Sequence, residues 1–291
     1  MDAMNLNAKL TSPKHFPSIC LRGSLISFEK PRVMGIVNVN DDSFHAASRA
    51  KKLDDVLRLA EKHVKGGAFF LDIGATSSRP GAEISDEQDE WTRLEGVFEL
   101  LRKEFPDVFL SVDTYHASVA RRAVEQGADL VNDISAGSID ITMFETVAKL
   151  KVPYVLMHMQ GRPETMQQNP KYIDVVQDVL QFTAEKVNRL RQLGVRDILV
   201  DPGFGFGKTL EQNYRLLRHL YEFVLMDIPV LVGVSRKSMV TRLLDVSAAE
   251  ALNGTTALHM LALMQGAHIL RVHDTAEASQ CIAIYEAYSS L

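Results

Sequence analysis

Cysteine is almost absent: Cys20 and Cys281 are the only two in 291 residues. Two thiols build neither a disulfide framework nor a zinc site, and they suit a reducing cytosol. No apolar run approaches the roughly 18 residues that a membrane span needs. The first twenty residues are polar and lack an apolar core segment, so no secretory signal is expected. Basic residues are not in excess, since 32 Lys and Arg face 37 Asp and Glu for a net charge of −5. That balance argues against nucleic acid, which demands a concentrated basic surface. Low-complexity tracts and Pro-rich linkers are missing too, so nothing divides the chain. What remains is 46% hydrophobic, and a chain of this size can hide about three quarters of its unfolded surface.

The positive signal is an alternation. Short β-branched runs end in polar or Gly-rich turns, and longer segments with helical spacing follow. The runs occupy 33–39, 69–75, 109–114, 130–135, 154–159, 197–202, 230–235 and 269–274. Between them lie patterns such as Leu53, Val56, Leu57, Ala60 and Val64, or Val175, Val179, Phe182, Val187 and Leu190. Gly66, Gly127 and Gly194 sit where helix C-caps are expected. Eight strand–helix units predict a parallel sheet, and closure into a single (β/α)₈ barrel is favoured over an open doubly wound sheet. Residues 16–30 read as two short strands around Arg22-Gly23, a hairpin predicted to close the barrel bottom. Residues 1–15 are expected to be disordered, which leaves 16–291 as the barrel domain.

Polar residues collect where the runs end: Asn38, Asp72, Asp113, Asn132, Met157 as the apolar exception, Asp201, Ser235 to Lys237, and Arg271 with His273. In a barrel these ends converge on one face, where catalytic groups belong. Any single Asp or Asn could simply start a turn; the full set reads as one site. Arg271 and His273 are two apart and share a face, so Leu270 and Val272 should pack against helices. An inward Arg and His is costly to bury without an anionic partner. That favours an external anion over an internal pairing with a neighbour such as Asp274.

Two loops invite phosphate readings. Pro202-Gly-Phe-Gly-Phe-Gly-Lys208-Thr209 fails the P-loop template, because Pro202 stands where the first Gly is required. It reads better as a flexible floor bringing Phe204 or Phe206 against a flat ligand. Ser77-Ser78-Arg79-Pro80-Gly81 suits an anionic substrate, or is an ordinary turn. The other histidines show no zinc spacing. Trp91 and the stretch Met260–Met264 read as core.

At these motifs the sequence resembles the dihydropteroate synthase family, from about Phe28 to Tyr288. The resemblance is carried by MGIVNVNDDSF (34–44), LDIGATSSRPGA (71–82), SVDT (111–114), VNDIS (131–135), DPGFGFGK (201–208), GVSRKSM (233–239) and RVHD (271–274). It implies that 4-aminobenzoate displaces diphosphate from 6-hydroxymethyl-7,8-dihydropterin diphosphate. By this resemblance Asp113, Asn132, Met157, Asp201, Phe206 and Lys237 bind the pterin. Ser78, Pro80, Phe206, Lys237 and Ser238 form the aminobenzoate pocket. Asn38, Ser78, Arg79, Arg271 and His273 take the diphosphate, with Mg²⁺ joined to Asn38. The catalytic set would be Lys237, Arg271, His273, Asp113 and Asp201. Diphosphate leaves first, and the neutral arylamine attacks a cationic pterin methylene without a strong base. The resemblance also implies membership of a sulfonamide-target family, a cytoplasmic enzyme and a homodimer formed through late helices, to which Ala257–Met264 would contribute.

The sequence departs from the family in two loops. NVTPDSFSDGG is represented by 38–48, with Asn40-Asp41 for Thr-Pro and Ala46, Ala47 and Ser48 for the second aspartate and its glycines. The common Glu-Ser-Thr-Arg-Pro has become Thr76 to Pro80. A non-catalytic pterin-binding paralogue is therefore an alternative, as is a pterin-dependent methyltransferase, which has no use for Arg271, His273 or the SRKSM stretch. An aldolase would need a buried Schiff-base lysine, and Lys237 is its one candidate.

Overall fold

Seven of the eight runs become strands of four to seven residues and one shrinks to two. A computed structural model describes residues 16–39, 46–76, 81, 84–168 and 170–290. The strands are β1 (Ser18–Leu21), β2 (Ser24–Ser27), β3 (Arg32–Asn38), β4 (Phe70–Gly74), β5 (Phe109–Asp113), β6 (Leu130–Asp133), β7 (Tyr154–Met157), β8 (Ile198–Asp201), β9 (Leu231–Val232) and β10 (Ile269–Val272). The helices are α1 (Ala46–Lys65), α2 (Glu87–Leu94), α3 (Val97–Glu104), α4 (Ala117–Glu125), α5 (Met143–Leu150), α6 (Val175–Gln192), α7 (Leu210–Arg218), α8 (Tyr221–Val224), α9 (Ser238–Leu244), α10 (Leu252–Met264) and α11 (Thr275–Ser289).

β3 to β10 form one parallel sheet in the order β8-β7-β6-β5-β4-β3-β10-β9. A single parallel bridge, Val200 to Val230, joins its two edges and closes the barrel. The run at 230–235 yields only β9 because the chain leaves the ladder at Gly233 and turns through Arg236, whose φ is 55°.

Strand periodicity sorts the side chains into layers. Leu71, Ile73, Leu110, Val112, Val131, Leu156, Val200, Leu270 and Val272 point outward into the core shared with the helices. Leu270 and Val272 thus pack as expected. Inward at the bottom lie Met34, Phe70, Leu130, Val155, Leu199, Leu231 and Ile269, joined by Ile19, Leu21 and Phe28 from the N-terminal segment. The β1–β2 hairpin therefore seals the floor. Its turn is fastened by Arg22, which donates through Nε to Asp129 at 2.9 Å and through Nη1 to the Pro106 carbonyl at 2.6 Å. The next inward residues up the strands are polar, and they make the site.

Helix starts follow capping rules: Asp86 and Asp174 accept from the first-turn amides of α2 and α6, and Thr209 with Gln212 forms a capping box on α7. Gly127 and Gly194 take the left-handed conformation expected, with φ of 109° and 88°. After α1 that role falls to Gly67 (φ 90°), not Gly66. Gly66 answers to packing instead, since a Cβ there would lie 2.3 Å from Thr275 Oγ1. Trp91 is core, but the Met260–Met264 stretch is only partly so: Leu261 and Met264 are 50% and 51% exposed. Helix α10 is apolar on nearly all sides, so one apolar face must turn outward. Residues 1–15 lie outside the described residues.

Candidate active site

Above the apolar floor stands a polar layer built around Asp72, which is fully buried. Ser111 Oγ donates to its Oδ1 at 2.5 Å. Asn132 Nδ2 and Arg271 Nε donate to its Oδ2 at 2.9 and 2.6 Å. Arg271 Nη2 then reaches Asp113 Oδ2 at 2.5 Å. The expectation that Arg271 lacks an internal anion, or pairs with Asp274, is corrected here: it bridges two carboxylates from β4 and β5. Burial works against its charge, and Asp72 and Asp113 overcome that, holding the guanidinium pKa above its ordinary value. Burial pushes the Asp113 carboxyl up, with Arg271 opposing and Asp72 adding to the rise. Sequence reasoning gave Asp72 no role beyond a strand end; its contact with Arg271 crosses 199 residues of chain.

Across the well, Asp201 is buried and accepts from the Gly203 amide at 2.7 Å. Its carboxyl is raised by burial, with the Lys237 ammonium opposing. Lys237 precedes α9 and sends Nζ to the Phe204 carbonyl at 2.5 Å, over the Phe206 ring at 4.4 Å from the centroid. Burial lowers its pKa to about 8, against the pull of Asp201. Gly233 keeps this junction open: a Cβ there would lie 3.7 Å from Lys237 Nζ, 3.9 Å from Asp201 Oδ2 and 4.0 Å from Arg271 Cβ. The three side chains thus converge on one volume.

That volume has an apolar wall. Met157 and Phe206 cluster with Tyr115, Ile134 and Met166. Phe204 belongs to the outer core, so Phe206 is the aromatic that faces the well. Tyr115, Ile134 and Met166 were not foreseen, because isolated apolar residues in loops carry no periodic signal.

At the rim, Ser235 Oγ lies 3.0 Å from His273 Nδ1 and accepts from the His273 amide at 3.3 Å. The direction of the Ser235–Nδ1 bond follows the imidazole tautomer, and Nε2 is the ring nitrogen that this contact leaves available. Surrounding protein and the Arg271 and Arg236 cations depress the His273 pKa. Asp274 pairs instead with Arg236, which donates at 2.8 and 2.7 Å. Asn38 ends β3 with an exposed side chain, two strands from Asp113 and beside β10. Ser238 opens α9, half-buried. Ser78, Arg79 and Pro80 lie outside the described residues.

No group of three or more His, Cys, Asp or Glu among the described residues could hold a metal. The lone amide oxygen of Asn38 is a hard donor at the rim, compatible with a magnesium ion that keeps its waters and shares substrate oxygens. No helix among the described residues is long and apolar enough to cross a membrane.

A buried carboxylate pair, an amide and a lysine at one level can hold a flat heterocycle edge-on, with cations above for an anionic tail. Comparison with known proteins meets this geometry. The model of the pterin binding enzyme family matches residues 34–273. Dihydropteroate synthase of Escherichia coli (strain K12) is 41% identical over 268 residues, covering 91% of this chain and 94% of that one. That of Haemophilus influenzae is 42% identical, covering 88% and 94%. The Yersinia pestis dihydropteroate synthase, solved with a sulfonamide drug, superposes with a TM-score of 0.88 at 42% identity, covering 94% of this chain and all of that one. The Xanthomonas albilineans enzyme with 4-aminobenzoic acid gives a TM-score of 0.87 at 36% identity, covering 95% and 100%. A (β/α)₈ barrel with this polar layer, matched along nearly its whole length, belongs to the pterin binding enzyme family and within it to the dihydropteroate synthases.

Proposed function

We propose that the chain condenses 6-hydroxymethyl-7,8-dihydropterin diphosphate with 4-aminobenzoate to give 7,8-dihydropteroate and diphosphate. The observation that carries the residue assignment is the convergence of Asp201, Lys237 and Arg271 on the space beside Gly233, with Asp113 tied to it through Arg271. Asp201 accepts from the donor edge of the pterin, and Lys237 donates to its ring. Asn132, with its amide nitrogen turned to Asp72, offers its oxygen. Met157 packs on the ring face. Arg271 has Nε and Nη2 committed to carboxylates, so Nη1 is the edge left for the diphosphate, joined there by the His273 ring.

As the carbon–oxygen bond breaks, negative charge grows on the diphosphate under Arg271 and His273, and positive charge grows on the pterin methylene near Asp113 and Asp201. The arylamine nitrogen attacks with its own lone pair, so no strong base is required. Magnesium held by Asn38 would neutralise charge on the diphosphate oxygens. Phe206, the Lys237 stem and Ser238 serve the aminobenzoate side, to which the family resemblance adds Ser78 and Pro80 of the second loop, while Arg79 goes to the diphosphate.

The test is diphosphate release from the pterin diphosphate with magnesium, with and without 4-aminobenzoate. Release that requires aminobenzoate and yields dihydropteroate supports the proposal. Tight pterin binding without that release transfers the chain to the binding-paralogue reading.

A homodimer completes the proposal. Leu261, Met264, Ile284 and Tyr288 on α10 and α11 are each at least half exposed, an apolar face that solvent disfavours. Sedimentation at micromolar concentration should give a dimer; a monomer overturns it.

A further inference from the structure

The lysine of the Gly-rich stretch fits no phosphate role, and its surroundings say why. Lys208 is 3% exposed, and its ammonium turns into the protein. Nζ donates to the Gly203 carbonyl at 2.9 Å and the Phe206 carbonyl at 3.0 Å, with the His158 carbonyl at 3.4 Å and His158 Nδ1 at 2.9 Å. None of these partners is a carboxylate. Several carbonyls converging on one point is how backbone surrounds a cation, and here the cation is tethered to the loop it organises.

The loop's conformation follows. Gly203, Gly205 and Gly207 have φ of 73°, 82° and 62°, alternating with non-glycine residues, so the chain reverses direction at every second step. A Cβ at Gly203 would lie 1.8 Å from the His158 carbonyl oxygen, and one at Gly207 2.6 Å from that of Gln160. The carbonyls of Gly203 and Phe206 face Lys208, while that of Phe204, between them, faces Lys237. The loop is threaded between two ammonium groups. It is clamped, not flexible as its glycines suggest.

We propose that Lys208 is a positioning residue for the arylamine half of the reaction: its buried amino group, by donating to the Gly203 and Phe206 carbonyls, folds the 203–207 loop so that the Phe206 ring and the Phe204 carbonyl fix Lys237 over the aminobenzoate pocket. This rests on the synthase reading. Lys208 touches neither substrate; it acts through Phe206 and Lys237. The pterin shares Lys237 and Phe206 with the arylamine but is held also from β5, β6, β7 and β8, so it should feel the loss much less.

The experiment measures steady-state constants for 4-aminobenzoate together with direct binding of the pterin diphosphate, on wild type, Lys208→Met and His158→Phe. Wild-type turnover tests the synthase reading independently of the variants. Lys208→Met keeps the stem and removes the donors to the loop carbonyls, and its KM for aminobenzoate should rise about tenfold or more while the pterin Kd stays within about twofold, since displacement by 1 Å can cost about a hundredfold. His158→Phe withdraws one acceptor and preserves the edge-on ring contact with Phe182. It should raise the same KM about threefold, and it decides the matter alone if Lys208→Met does not fold. An unchanged aminobenzoate KM with a lowered kcat, or pterin affinity lost in parallel, overturns the proposal, because loss of folded enzyme lowers kcat without separating the two substrates.

Discussion

Arg271→Ala lowers aminobenzoate-dependent diphosphate release by about a thousandfold or more. Two losses combine. Removing a preorganised donor from a developing anion costs about 10²–10³ in rate by itself. The guanidinium is also the shared counter-ion of Asp72 and Asp113, and breaking a buried pair by deleting one partner costs about 3–5 kcal/mol. The sign of the pH effect separates this role from simple unfolding. Burial raises the Asp113 carboxyl and Arg271 holds it down, so in the variant the carboxyl rises further and stays protonated to higher pH. The acidic limb of the residual activity must therefore move to higher pH. Arg271→Lys, which keeps the charge but not the planar fork, should recover only part of the rate. Near-normal turnover, or an acidic limb that stays in place, would remove Arg271 from its assigned role.

Asp201→Asn weakens pterin diphosphate binding by about a thousandfold. The buried carboxylate already accepts from the Gly203 amide through Oδ1. Asparagine can keep that bond only by placing its oxygen there, which turns its NH₂ into the well where the pterin brings donors. Sites built around such hydrogen bonds discriminate by about 10⁴ when the match fails. Lys237 supplies the second readout. Its pKa is lowered to about 8 by burial while Asp201 supports the charge. Without that carboxylate the pKa falls further, so the alkaline limb of activity moves to lower pH. Calorimetric titration of the pterin, with a pH–rate profile, checks both. Unaltered affinity would mean that the pterin edge lies elsewhere.

Much of the barrel is legible from local chemistry. Short β-branched runs bounded by turns mark the strands because each is buried on both faces, one on the helices and one in the barrel, and Arg22-Gly23 marks a turn because both residues adopt positive φ. The strand ends name Asp113, Asn132 and Asp201 for the same reason. What the chain does not announce is pairing between distant strands. Arg271 looks like a cation in need of an outside anion until β10 and β4 stand either side of β3. Likewise, Lys208 has phosphate-loop neighbours in sequence, and only His158, 50 residues away, shows which way its ammonium turns.

The hairpin beneath the barrel has a consequence for traffic. With Ile19, Leu21 and Phe28 packed against the lowest ring of side chains, the shaft has a single opening, and whatever stands deepest must have come first. Under the proposed assignments the pterin rests on the Asp72 layer and the arylamine above it, beside Phe206. An arylamine that arrives early obstructs the pterin's descent, and the joined product, spanning both depths, must leave before either substrate can return. The order of arrivals and departures at the top is thus imposed by a stopper at the bottom, a part of the chain that touches none of the travellers.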